Sequence, residues 1–257
     1  MSIYLDYLEG MTKHKIERMR HELRRRTLTI SEIAELTPHM RRIRFVSPEL
    51  HDFVSASADD HVKLFFAPSD GGDPVMRDFT PRLFDTTAGW LVIDFALHDA
   101  GPAAEWAMAA VIGNTLEIGG PRGSAVIPDD FDWYWLIGDA SALPAIGRRL
   151  EELRAGVPVT SLVVLGDAAD AQQIDTRADW TPVWLAPDER PDAQRLTEAL
   201  ASMALPAGDG FVWIAGETRL ARAARAHVID RGHPKEWLKA SGYWSRGEAD
   251  SHGNIED

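Results

Sequence analysis

The hydrophobic pattern changes character near residue 130, and that change restricts the folds open to the chain. Before it, short segments rich in β-formers are broken by Gly, Pro and Asp. After it, apolar runs of strand length alternate with stretches of helical periodicity. In the first half, strands are expected at residues 28–36, 40–46, 62–66, 75–80, 90–97 and 115–118. Leu28, Ile30 and Ile33 alternate with Thr29, Ser31 and Glu32, the period of a half-buried strand. Ser47-Pro48 and residues 69–74 carry turn chemistry. One helix is expected at residues 102–110, with Pro102 suited to the first helical position. Short strands at this spacing predict a sandwich or barrel. In the second half, buried-looking runs at 133–137, 159–165, 182–185 and 211–215 alternate with helices at 143–154, 194–203 and 218–230. That alternation predicts a parallel sheet covered by helices. The expected fold class is therefore β followed by α/β: an antiparallel β-barrel over residues 27–130, then a parallel-sheet nucleotide-binding domain over 131–257.

Charge and composition narrow the function. Across 257 residues, 40 acidic against 27 basic side chains give −13, which argues against wholesale nucleic-acid binding. The absence of cysteine excludes disulfides, thiolate zinc sites and Cys-ligated iron–sulfur clusters. No apolar run is long enough to span a membrane, and residues 1–10 hold Asp6 and Glu9 without a signal-peptide core. The expectation is a cytoplasmic protein. The charge is uneven: residues 1–44 carry ten Lys/Arg and six Asp/Glu, about +4, which leaves about −17 for the rest. Lys13, Lys15, Arg18, Arg20, Arg24, Arg25 and Arg26 form a basic leader, read over residues 1–26 as a solvated, helical or loose arm in preference to a nucleic-acid arm.

Several short stretches carry chemistry. Arg77-Asp78-Phe79-Thr80 closes a strand; an Arg there can neutralise a diphosphate, Phe79 can cover a ring face, and Thr80 can reach a ring polar atom. Asp94 and Phe95 end the next long strand, and His98 can bond a phosphate or ribose. Gly101-Pro102-Ala103-Ala104-Glu105-Trp106-Ala107 then opens a helix whose first N–H groups form an anion site. Gly119-Gly120-Pro121-Arg122-Gly123-Ser124 is a close-approach loop with a cation, but it lacks the Gly-Lys-Ser/Thr ending of a P-loop. Gly138-Asp139-Ala140-Ser141-Ala142 follows the first α/β strand, where ligand crevices form, with Ser141 available as a cap and Pro144 in the first helical turn. Gly216-Glu217 ends a later strand the same way, and Gly242-Tyr243-Trp244-Ser245-Arg246-Gly247 closes the fold.

Taken together with His61-Val62-Lys63-Leu64-Phe65-Phe66, the order and spacing of these motifs resemble the siderophore-interacting proteins, flavin-dependent ferric-siderophore reductases related to the ferredoxin–NADP reductase superfamily. The resemblance runs from about residue 27 to residue 247. It implies an FAD-binding barrel followed by a pyridine-nucleotide domain. It also implies cofactor contacts at Arg77, Phe79, Thr80, Asp94, Phe95, His98, Ala103, Trp106, Ala107, Asp139, Ser141 and Ala142. Two departures stand out: Phe79 occupies a position usually held by Tyr, and Ala140-Ser141 stand where the family often has Glu-Thr. Asp139 and Glu217 remain candidate acids at the flavin edge. The implied reaction passes electrons from NAD(P)H, or from a ferredoxin-type donor, through FAD to a ferric siderophore. No metal ligand set and no acid–base pair is assigned. A catecholate siderophore is anionic, so Lys63, Arg122 and Arg246 are expected to converge near the flavin and bind it. Asp167, after the second α/β strand, leans the donor towards NADH, because an acid there holds a ribose hydroxyl and repels a 2′-phosphate. A general flavin oxidoreductase, or a siderophore-binding protein without turnover, are the alternatives.

Overall fold

The computed structural model describes residues 14–67, 71–97, 101–247 and 253–255. Fifteen strands are described: β1 (Glu17–Arg20), β2 (Arg25–Thr37), β3 (Met40–Val46), β4 (Val62–Phe66), β5 (Val75–Phe79), β6 (Leu83–Asp85), β7 (Trp90–Ala96), β8 (Thr115–Gly119), β9 (Gly123–Val126), β10 (Trp133–Asp139), β11 (Pro158–Val164), β12 (Asp179–Leu185), β13 (Gly210–Glu217), β14 (Leu238–Trp244) and β15 (Gly253–Asn254). The α-helices are α1 (Pro102–Ala109), α2 (Leu143–Glu152), α3 (Asp192–Ser202) and α4 (Thr218–Asp230).

Seven antiparallel strands in the order β5-β4-β8-β2-β3-β7-β6 make a curled half-barrel. Alternate residues turn inward, as the period of 2 requires. Leu28 and Ile30, Ile43 and Phe45, Val62, Leu64 and Phe66, Leu91, Ile93 and Phe95, and Leu116 and Ile118 share one core. Ala107 of α1 joins that core and closes one end of it.

The second sheet runs β12-β11-β10-β13-β14 in parallel, with β15 antiparallel at the edge. Its central strands are buried on both faces, so they read as continuous apolar runs. On β10, Tyr134 and Leu136 pack towards α2, whereas Trp133, Trp135 and Ile137 pack towards α3 and α4. The chain starts at β10, builds outward through β11 and β12, then returns to the other side at β13. The strand order therefore reverses between β10 and β13, where open α/β sheets bind ligands.

Buried arginines join the two halves. The Arg148 guanidinium on α2 donates to the Ser55 hydroxyl (2.8 Å), the Ser55 carbonyl (2.9 Å) and the Pro81 carbonyl (2.9 Å). Arg82 pairs with Glu151 of α2 and lies 3.7 Å from Asp94, which Arg42 holds in a bidentate pair at 2.7 Å. A Cβ on Gly147 would meet Arg82 at 2.9 Å, so α2 and Arg82 are in direct contact.

The structure corrects several expectations. Residues 17–20 are a strand rather than a helical or loose leader. Their side chains are all exposed, so no periodicity announces them; pairing with β9 creates the strand. β6, β9, β14 and β15 also went unread, and β2 starts at Arg25 and runs to Thr37.

Candidate functional site

On the barrel side, Arg77 and Phe79 lie two residues apart on β5, so they share a face. Arg77 is half-buried and donates to the Met76 carbonyl at 2.7 Å. Phe79 packs on Phe95 at 4.7 Å between ring centroids and remains partly exposed. Thr80 is buried at the strand end. Trp106, half-buried on α1, meets Phe66 and Phe95 at 5.7 and 5.8 Å. α1 begins at Pro102 with no side-chain cap, and a Cβ on Gly101 would stand in open space. An uncapped helix start, a half-buried guanidinium and partly exposed aromatic faces fit a flavin dinucleotide. Other candidates on this side serve the fold directly. Asp94 is committed to Arg42, and Phe95 and Ala107 are barrel core. Ala103 is half-buried at the helix start. His98 lies outside the described residues.

At the crevice between β10 and β13, Asp139 acts as a clip. One carboxylate oxygen accepts from the Ser141 N–H (2.9 Å) and the Ser141 hydroxyl (2.5 Å). The other accepts from the Glu217 N–H (2.7 Å) and the Trp244 indole (3.0 Å). Asp139 rather than Ser141 is thus the cap of the turn at residues 140–142. It ties the ends of β10, β13 and β14 together. Gly138 is required beneath it, since a Cβ there would lie 2.4 Å from the Ala215 carbonyl and 2.5 Å from buried Ala142. Glu217 caps α4 through the Arg219 and Leu220 N–H groups at 2.7 and 2.9 Å. Asp139 and Glu217 therefore hold backbone in place.

Beside this clip the two halves meet through polar groups. The Tyr243 hydroxyl donates to Asp59 at 3.0 Å, and Lys239 pairs with the same carboxylate. Burial, then the charge of Asp59, with further pressure from Asp139 and Asp78, pushes the Tyr243 phenol well above its ordinary range. Asp78 in turn holds Lys63 at 3.0 Å across β4 and β5. Asp59 thus brings Tyr243 and Lys239 of the second half against the barrel half. The cations expected to converge each take their own place. Lys63 is paired with Asp78, Arg246 stands 3.7 Å from Asp192 at the start of α3, and Arg122 is exposed between β8 and β9. No contact described joins any two of them.

Asp167, the basis for expecting NADH, spends one oxygen capping its own turn through the Ala169 N–H at 2.9 Å. The neighbouring Asp170 is buried and accepts from the Thr37 hydroxyl (2.8 Å) and the His39 N–H (3.1 Å), with the His39 ring 2.9 Å away. These bonds dock the loop after β11 onto the β2–β3 hairpin. The sequence offered no signal for this dock, nor for Arg82, Arg148 or His14. Buried arginines and isolated histidines look like surface residues until their partners arrive from far along the chain.

Comparisons with known proteins agree with this architecture. The model of the siderophore-interacting FAD-binding domain matches residues 29–74 and 68–125, and that of the siderophore-interacting protein matches residues 131–247. A protein of Escherichia coli (strain K12) named NADPH-dependent ferric-chelate reductase is 34% identical over 248 residues, covering 89% of this chain and 96% of that one. The ferric vibriobactin reductase ViuB of Vibrio cholerae is 26% identical, with 83% and 86% covered. Among solved structures, a siderophore utilization protein from T. fusca has a TM-score of 0.85 at 31% identity, covering 93% of this chain and 98% of that one. The siderophore-interacting protein SipS from Aeromonas hydrophila has a TM-score of 0.78 at 32% identity, covering 88% and 94%. A ferredoxin NADP+ reductase from Neisseria gonorrhoeae, 13% identical with a TM-score of 0.59, covering 86% and 99%, shares the fold. With both halves matched and the motifs in place on β5, α1, β10 and β14, the chain belongs to the siderophore-interacting protein family.

Proposed function

We propose that this protein reduces ferric siderophores, taking electrons from NADPH through bound FAD and releasing ferrous iron. The observation that carries the reading is the junction of the two halves beside the Asp139 clip. The residues suited to FAD and those suited to a nucleotide donor lie on two halves joined where Asp59 accepts from the Tyr243 hydroxyl and pairs with Lys239. The E. coli relative's name supports both the acceptor class and the donor, and turns the choice from NADH to NADPH.

When bound, FAD accepts a hydride and passes electrons on singly. The protein's own part is placement. Arg77 would neutralise the diphosphate, and the N–H groups at the start of α1 would add their partial positive charge. Phe79 would cover a ring face, and Thr80 follows it at the end of β5. The Asp139 clip fixes the turn at residues 138–142 and the start of α4, which together frame the donor's crevice. Tyr243 stays neutral, so it donates a hydrogen bond and adds no charge there. Iron reduction takes an electron and needs no protein base. Ferric iron is held tightly by hard oxygen ligands, and the ferrous ion, with lower charge density, is released. Lys63, Arg122 and Arg246 are offered to an anionic catecholate siderophore, each from a different element.

The test is turnover: purified protein, NADPH, a ferric catecholate and a ferrous-specific chromophoric chelator. Ferrous complex should accumulate in step with NADPH loss. Flavin that is reduced by NADPH but yields no ferrous iron would reassign the protein as a general flavin reductase. Flavin that only a reduced ferredoxin can reduce would replace the donor.

A further inference from the structure

The four residues of strand β1, Glu17, Arg18, Met19 and Arg20, are all exposed. Yet both of its ends are fixed by buried polar groups. Ahead of it, His14 is buried, stacks on Phe131 at 4.0 Å, and sets its ring nitrogens 2.7 Å from Asp130 and 3.2 Å from Asp209. Behind it, the His21 N–H donates to the Arg122 carbonyl at 3.0 Å, and its ring lies 2.8 Å from the buried Ser124 hydroxyl. That hydroxyl donates to buried Asp60 at 2.6 Å. Between the ends, β1 runs so close to β9 that a Cβ on Gly123 would sit 2.3 Å from the Met19 carbonyl. The arm ahead of β1 packs on the core through His14 and Ile16, whereas the four residues of the strand itself face solvent.

It presents cations. Arg18 and Arg20 occupy alternate positions and share one face, with Glu17 and Met19 on the other. Lys15 precedes them, and Arg122 leads into the paired strand. Among the described residues no carboxylate pairs with Lys15, Arg18, Arg20 or Arg122. The next cations along the chain are all neutralised: Arg24 by Glu22 and Asp52, Arg25 by Glu117, Arg26 by Asp52. In a chain of net charge −13, such a ribbon makes a local positive field. The ribbon also continues from the strand beside Lys63: Gly119, three residues before Arg122, is the register partner of Lys63.

We infer that the β1–β9 ribbon is an anion-capture surface that draws anionic ferric chelates to the reductase; this rests on the ferric-chelate reductase reading. A handful of cations on a short ribbon suits a small polyanion. Equilibrium binding tests it directly, read as quenching of tryptophan fluorescence by two probes: ferric tris(2,3-dihydroxybenzoate), which is anionic, and ferric tris(acetohydroxamate), which is neutral. In the Arg18→Gln, Arg20→Gln double variant, Kd for the anionic probe should rise about fivefold at low salt, the scale of two exposed charges. The rise should shrink as salt is added. Kd for the neutral probe should move much less, and Arg18→Lys, Arg20→Lys should restore the anionic affinity. An unchanged anionic Kd, or an equal rise for both probes, would overturn the inference. So would salt-sensitive retention of duplex DNA by the wild type that the variant loses. The ferrous-trap assay is a separate measurement: its failure would remove the reductase reading, whereas an unchanged Kd in an active reductase would remove only the ribbon's role.

Discussion

At the scale of single residues, the site depends on polar groups fixed by their partners. Asp139 accepts four hydrogen bonds, and Tyr243 is held neutral by burial and by neighbouring carboxylates. The folded Tyr243 phenol ionises at a higher pH than an unfolded one. Its contribution to stability is therefore complete below about pH 10, the ordinary phenol value, and is lost as pH rises through the folded value. In a spectrophotometric titration of the native protein, Tyr243→Phe should remove none of the phenolate absorbance that develops below about pH 10. A loss of that absorbance would mean Tyr243 titrates normally. Arg77 carries the complementary expectation for the cofactor. Arg77→Ala should fold normally and bind FAD more weakly by about 1.5–3 kcal/mol, the worth of a charged hydrogen bond. Equilibrium dialysis of FAD checks this, and full retention would place the diphosphate elsewhere.

At the scale of elements, strands and helices were readable wherever one face is buried against a core. Leu28/Ile30, Ile43/Phe45 and Leu91/Ile93 alternate because the half-barrel buries one face of each strand, while β10, β11 and β13 read as continuous runs because both faces are covered. β1 could not be read this way, since its four residues are all exposed and its pairing partner β9 lies more than a hundred positions away. The candidate site was partly legible for the same reason. Motifs at strand ends, such as Arg77–Thr80 and the turn after β10, announce themselves locally. The Asp59–Tyr243 contact and the Arg148 clamp join residues far apart in sequence and leave no local trace. Gly123 marks the boundary between the two cases: it looks like part of a phosphate loop but is needed for the approach of β1. Gly123→Ala should detach the arm while leaving both cores intact. Hydrogen exchange should then show loss of protection at residues 17–21 with protection in β10 and β13 retained. Unchanged protection at residues 17–21 would mean that β1 accommodates the added methyl group.

At the scale of the whole molecule, polar contacts among the described residues fasten the two larger sheets at three places: Arg148 of α2 on Ser55 and Pro81 with Arg82 on Glu151 of α2, Asp170 against the β2–β3 hairpin, and Asp59 with Tyr243 and Lys239. Fastening of this kind keeps the proposed donor and acceptor positions at a fixed separation around the flavin, as an electron relay requires. The central claim is that relay, and an anaerobic sequential titration tests it most directly. Purified protein is followed by its absorbance spectrum as NADPH is added, then as a ferric catecholate is added with a ferrous-specific chelator present. The account predicts an oxidised-flavin spectrum at the start, bleaching by NADPH, and recovery on addition of the ferric complex. The ferrous ions trapped should balance the electron pair of each hydride delivered. A protein without flavin, or one whose reduced flavin is not reoxidised by the ferric complex, would contradict it.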